Sequence, residues 1–392
     1  MKIIVNPIPN DKTRNIMALL PIDIVFYNIL TKVPAKSLLR FKSVCKDWYN
    51  LINSSNFRNI QHTHTLESHD SSDFLVVSSR CGVLVNQFLF YIMYLDAPNY
   101  THGKSRTFDS CWDIVGSSNG LICLKNLGSG FLLWNPVTKE YSRLIKSPSS
   151  LASVHISFEY YGFGYDVVSH DYKIVNIEFR DAEFRRDCIF HVYSRGSNSW
   201  KESQKYPDSI LGYKEYFGRN VVVNNKLHWI TFKRTAIKII LIFDLHTEEL
   251  REISYPTSLR HAKEHDLMVS RGRLCILATT HWPSKHPNVS IWVMKEYGVV
   301  ESWTKLYEVE GEQISSKYFR IITHQSKKDG EEVLLQKHDK NGELVWYDLE
   351  NKSITGKVDD PATEKYAGHT WVCIASLAPI PGNDNSKTVL SM

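Results

Sequence analysis

His261-Ala-Lys-Glu264-His265 presents the residue types and the spacing of a metal-dependent hydrolase. Two imidazoles four residues apart share one face of an α-helix and hold a zinc ion there, while a neighbouring glutamate acts as base. That chemistry needs a helix of several turns. Pro256 lies shortly upstream and the alternating run Leu267-Met-Val-Ser follows at once, which leaves room for one helical turn or a surface loop. A second group, His62, His64, Glu67 and His69, falls in the polar stretch RNIQHTHTLESHDSS (58–72) and reads as a solvated linker, because no further ligand cluster fixes a geometry. No phosphate-cradling G-x-x-x-x-G-K-[ST] loop is present, and no carboxylate pair stands out as acid and base. The seven cysteines, Cys45, Cys81, Cys111, Cys123, Cys188, Cys275 and Cys373, are scattered and never in Cys-x-x-Cys spacing, which fits small buried hydrophobes in a reducing compartment. No metal, no cofactor and no catalytic residue are expected.

Charge and hydropathy narrow the partners. The net charge is +5, but basic pairs such as Arg185-Arg186 and Lys327-Lys328 are short and flanked by acids, so a nucleic-acid groove is not expected. The apolar run Phe88–Leu95 is too short to span a bilayer and reads as a buried strand. MKIIVNPIPNDKTRN has no apolar core long enough for a secretory signal, so the expected location is the nucleus or the cytoplasm, with no membrane partner.

What must position any function is then read from the elements. Leu20-Pro21 opens a helix in which Val25, Phe26, Ile29, Leu30 and Val33 recur at helical spacing. Pro34 ends it, because the residue before a proline is driven out of the α region. A second helix is predicted from Ala35 to about Phe41, and a third carries Val44, Trp48, Leu51 and Ile52. Three helices in about 35 residues cannot hide that many large apolar side chains among themselves. Part of their surface must meet a partner.

The order Leu-Pro, Ile-Leu, Val-Pro, Lys-Ser-Leu-Leu-Arg-Phe, Val-Cys-Lys-x-Trp, Leu-Ile, Phe within residues 19–57 resembles the F-box family pattern from end to end. Phe26 and Tyr27 stand where that family more often has an acidic or polar pair, and Val33 replaces the usual leucine; both changes keep or add apolar area. The resemblance implies a docking module for a Skp-type adaptor, and through it a cullin and a RING subunit of an SCF-type ubiquitin ligase. Carried over position by position, it implies adaptor contacts at Leu20, Pro21, Ile24, Ile29, Leu30, Pro34, Leu38, Leu39, Val44 and Trp48. The cysteine spacings exclude a RING of the chain's own.

From Phe74 onward the period changes to short alternating apolar runs divided by Gly, Asn, Asp and Ser turns, which is all-β patterning. The aromatics Trp134, Tyr193, Phe243, Trp292 and Tyr347 are spaced by about 49 to 59 residues, close to the kelch period, and an irregular first unit from Phe74 to Leu95 brings the expected number of blades to about six. Each blade has two apolar faces and must be covered by neighbours, so the ring has to close. Thr370-Trp-Val-Cys-Ile-Ala-Ser-Leu is the strand that would complete the first blade.

IVGSSNGLICL, FLLWNPVTKEYSRL, YGFGYD, DYKIV and VYSRGSNSW resemble the F-box-associated domain of flowering-plant proteins, which is related to kelch propellers; both the S-locus F-box-like and the defence-related groups are similar. The organisation expected is a disordered extension (1–16), an F-box (17–57), a linker (58–72), a propeller of about six blades (73–380) and a disordered tail (381–392). The combination implies a non-catalytic substrate receptor that brings an unknown target protein to the ligase. A propeller enzyme (hydrolase or oxidase) and an F-box scaffold outside a ligase are the alternatives. Exposed aromatics favour binding hot spots, which singles out loops holding Tyr213, Tyr216 and Phe217, or His281 and Trp282, for target contact, the alternative being that they pack between blades.

Overall fold

The computed structural model describes residues 28–67, 74–82, 87–94, 102–109, 112–126, 130–144, 156–182, 185–206, 210–211, 220–233, 235, 237–260, 262, 264–280, 288–314, 319–327, 330–337, 343–358 and 370–380. Leu20, Pro21 and Ile24, the start of the predicted first helix, lie outside them, as do both predicted chain termini. The described end of the first helix is a 3-10 turn, Leu30–Lys32, closed by Val33 and Pro34. Helix α1 (Ala35–Phe41) starts at Pro34 as the sequence requires. Helix α2 (Lys46–Asn53) is capped by Cys45, whose sulfur accepts the Trp48 amide proton. Ser54 then turns the chain with extended backbone (ψ 141°), and its hydroxyl accepts from Phe57 N at 3.3 Å to start helix α3 (Ser55–Glu67).

Helix α3 corrects the expected linker over 58–72. Its buried positions, Phe57, Arg58, Gln61 and Thr65, share one face, but three of the four are polar, so no hydrophobic period announces the helix.

Among the described residues, the body is a ring of six antiparallel sheets. The first contains β1 (Phe74–Gly82), β2 (Gln87–Tyr94) and β3 (His102–Asp109). The second is β4 (Asp113–Ser118), β5 (Leu121–Asn126), β6 (Gly130–Trp134) and β7 (Tyr141–Arg143). The third is β8 (Ile156–Asp166), β9 (Asp171–Ala182), β10 (Arg185–Ser194) and β11 (Ser199–Tyr206). In the fourth, β12 (Ile210–Leu211) and β13 (Val221–Val223) share the place of one inner strand beside β14 (Lys226–Lys233), followed by β15 (Lys238–Asp244) and β16 (Leu250–Ser254). The fifth is β17 (Glu264–Ser270), β18 (Arg273–Thr280), β19 (Asn288–Met294) and β20 (Trp303–Val309). The sixth is β21 (Phe319–Lys327), β22 (Gly330–Lys337), β23 (Leu344–Asp348) and β24 (Ser353–Val358).

Strand β25 (Thr370–Ile374) closes the ring as the sequence predicts, pairing with β1 from Phe74↔Ile374 to Ser78↔Thr370. The inner strands touch around the axis at β25–β4, β4–β8, β13–β17, β17–β21 and β21–β25, and β8 closes onto β14. Closure leaves each sheet covered on both faces, the condition that an isolated sheet cannot meet.

Between the third and fourth strands of three blades the same turn recurs. The side-chain oxygens of Asn135, Asp244 and Asp348 each accept two backbone amides further along, from Val137 and Thr138, His246 and Thr247, and Glu350 and Asn351. The aromatic just before each turn, Trp134, Phe243 or Tyr347, is fully buried, and Tyr193 holds the corresponding place in the third blade. Trp292 does not fit this series. Val293, paired with Cys275 and buried, takes the anchor position, and Trp292, one residue earlier and so on the other face of the strand, is half-buried.

Candidate docking site

The helical unit has two faces with different fates. Leu30, Leu38, Leu51, Ile52 and Phe57 are buried at 8 % exposure or less and join one hydrophobic cluster with Ile92, Trp112, Trp134 and Leu377 of the propeller. The apolar surplus that required a partner is thus absorbed in part by the chain itself. Leu30 and Leu38, assigned above to adaptor contact, are corrected to internal packing residues. Ile29 and Val44 point outward at 49 % and 62 % exposure, Pro34 is exposed, and Leu39 and Trp48 are half-buried. Trp48 meets the Phe41 ring edge-on at 5.5 Å, which fixes its orientation at the border of the two faces. Tyr49, exposed at 54 %, extends the outer apolar face and was missed; its place directly after Trp48 was the available signal.

Polar contacts add to this apolar seam between the unit and the propeller. Arg58 donates from Nη1 and Nη2 to the two carboxylate oxygens of Glu140 at 3.0 and 2.5 Å, and from Nε to the Leu377 carbonyl at 2.9 Å. Gln61 accepts from Leu377 N at 3.2 Å, and Asn135 Nδ2 donates to the Ser376 and Ala378 carbonyls. The segment after β25 is therefore gripped between α3 and the Asn135–Glu140 turn, its backbone groups met by side chains instead of by a strand. His62 Nδ1 lies 3.1 Å from Ser376 Oγ, and burial pushes its pKa down to about 4. Sequence reasoning missed Arg58, Gln61 and Glu140; the WNPVTKE turn supplies Asn135 and Glu140, but nothing local says what they face.

Strand direction sorts the connections. In blades two to six the first-to-second and third-to-fourth strand turns lie at one end, and the helical unit grips that end through Glu140 of blade two. The opposite end is left to the second-to-third strand loops and the blade-to-blade crossings. In sequence, His281 and Trp282 fall between β18 and β19, and Tyr213, Tyr216 and Phe217 fall between β12 and β13. All five candidate target contacts lie outside the described residues.

Two catalytic patterns fall away on geometry. His265 sits on strand β17 opposite Ala278, 9 % exposed, so the H-x-x-E-H spacing follows neither a helix nor, at this residue, a surface loop. Ser270 Oγ, His324 and Glu331 are joined in the order of a hydrolytic triad, at 2.5 Å and 2.8 Å. Ser270 is 5 % exposed and spans two blades, so its hydroxyl is not offered to a substrate and the three residues tie blade five to blade six.

Comparison with known proteins agrees with this division of the chain. Residues 17–60 match the F-box domain, and residues 82–380 match the F-box associated beta propeller domain. F-box protein CPR1 of Arabidopsis thaliana is 33 % identical over 371 residues, covering 86 % of this chain and 84 % of that protein. F-box protein At4g22390 from the same plant is 29 % identical, with 86 % of each chain covered. F-box/kelch-repeat protein At3g23880, again of Arabidopsis thaliana, is 27 % identical over 72 % of this chain and 78 % of its own length.

Proposed function

Because the chain belongs to the F-box proteins that carry an F-box-associated β-propeller, we propose that it is the substrate-recognition subunit of an SCF-type cullin-RING ubiquitin ligase. The outer face of the helical unit docks a Skp-type adaptor, and the propeller presents a target protein to the charged E2, raising its effective concentration without chemistry of its own. The nucleus or the cytoplasm is the setting this implies.

One observation carries the reading: after the inner face of the helices is spent on the propeller, Ile29, Val44 and Tyr49 all remain exposed in a unit of only three described helices. Apolar residues retained on an outer face, with the inner face already satisfied, fit a docking surface.

Co-precipitation of the full chain with a Skp-type adaptor tests it. Wild type is expected to bind and the double change Leu20→Ala, Pro21→Ala to abolish binding while the propeller stays folded. Failure of the wild type to bind removes the ligase reading. A target whose abundance rises on loss of the chain, and also on proteasome inhibition, separates a ligase receptor from a scaffold.

A further inference from the structure

A cavity of about 590 Å³ opens on blade four at the end remote from the helical unit, where β14 ends, β15 begins and β16 runs into the turn Thr257–Leu259. Lys233, Lys238 and Arg260 line it, with the hydroxyls of Ser254, Tyr255 and Thr257. The cations differ in what they have left to offer. Lys233 is matched by Glu252, to which its ammonium donates. Lys238 donates to the Ala262 carbonyl at 2.9 Å and meets His265 Nε2, while His265 Nδ1 meets the Tyr255 hydroxyl. The Lys238 side chain nevertheless forms part of the cavity wall. Arg260 is exposed at the rim, with no carboxylate against it among the described residues.

Among the described residues no carboxylate forms an ion pair with Lys238 or Arg260. Burial holds His265 down to about 4, so the imidazole is neutral at pH 7, and the same cause lowers Lys238 only to about 8, which leaves it protonated. Ile239 is buried and Ile237 is 58 % exposed, giving the cavity an apolar edge beside its charges. A partly dry concavity strengthens the attraction of a fixed cation for an anion, and charge-assisted hydrogen bonds are the strong ones.

We propose that this cavity binds an anionic side chain, carboxylate or phosphoryl, presented by a protein partner, with Lys238 and Arg260 as its charged ligands and the Ser254 and Thr257 hydroxyls as further donors. Its position on the end that the helices leave free is what a target-capture site requires. That use rests on the receptor reading above, whereas anion binding rests on the cavity alone.

The test is titration of the full chain with phenyl phosphate and with benzoate, using benzyl alcohol as the uncharged control and saturation-transfer NMR as the readout. At least one anion is expected to bind where the alcohol does not, and Arg260→Gln and Lys238→Met are each expected to weaken it at least fivefold. Arg260 is on the surface, so its variant keeps the fold, which an unchanged melting curve verifies. Binding of phenyl phosphate alone assigns a phosphoryl group; binding of both anions assigns a carboxylate as sufficient. Absence of binding by either anion, or binding that Arg260→Gln leaves unchanged, overturns the proposal. Adaptor co-precipitation is read separately, so failure here leaves the ligase reading standing, and the reverse also holds.

Discussion

Arg58 on helix α3 and Glu140 on the blade-two turn form a two-pronged ion pair in which the arginine side chain is 6 % and the glutamate 18 % exposed. Residues 82 positions apart in sequence thus fix how the helical unit sits on the propeller. Leaving one charge of a buried pair unpartnered costs about 3–5 kcal/mol, and the partial exposure of Glu140 points to the lower end of that range. Arg58→Met is therefore expected to lose α3 and the 375–378 segment from hydrogen-exchange protection while the strands of blades three to six stay protected. Unchanged protection of α3 in the variant would show that the apolar cluster alone seats the helices.

Neighbouring residues on the helical unit should separate binding from folding. Val44→Asp is expected to weaken adaptor binding at least tenfold with an unchanged melting temperature, because its side chain is outside the fold. Leu38→Ala removes a fully buried leucine and is expected to lower stability by about 2–5 kcal/mol. Pull-down and thermal unfolding of the two variants side by side check the assignment; loss of stability in Val44→Asp would contradict it.

The closing strand makes the ring one cooperative unit. Truncation after residue 369 removes β25, leaving β1, β4 and β21 without a neighbour they touch. The shortened chain is expected to lose its unfolding transition altogether, readable by circular dichroism. A retained cooperative transition would mean that the other blades close without it.

Between blades three and four the fit is close enough to test with one methyl group. A Cβ on Gly162 would lie 2.4 Å from Trp229 Cζ2, and that indole is buried at 2 % exposure and donates from Nε1 to the Tyr161 carbonyl. Gly162→Ala is expected to cost about 1–3 kcal/mol by overpacking, measured in denaturant unfolding.

Acid should loosen the fold through histidines. Burial pushes His62, His228 and His265 down to about 4 from an ordinary value of 6.5. Below pH 6.5 the unfolded chain takes up protons that the folded chain refuses, so stability falls as pH drops from 6.5 towards 4, by roughly 1 kcal/mol per pH unit for each histidine. His62→Gln is expected to flatten the part of this slope that belongs to the helix–propeller seam. Denaturant midpoints at pH 7 and pH 5 for both proteins measure it.

Local chemistry was written plainly where it acts locally. Pro34 divides the helices, Asn135, Asp244 and Asp348 fold their own turns, alternation marks the strands, and Thr370–Leu377 carries the closing strand. The helical F-box unit and the propeller could be read from those signs, because each depends on residues a few positions apart. Which neighbour covers an apolar residue is a different kind of fact. Ile29 and Leu30 are adjacent and equally hydrophobic, yet one is exposed and the other is packed inside, and α3 is held in part by polar side chains that leave no periodic trace. Hydrophobicity records that a side chain must leave water, while its partner is chosen only when distant segments are brought together.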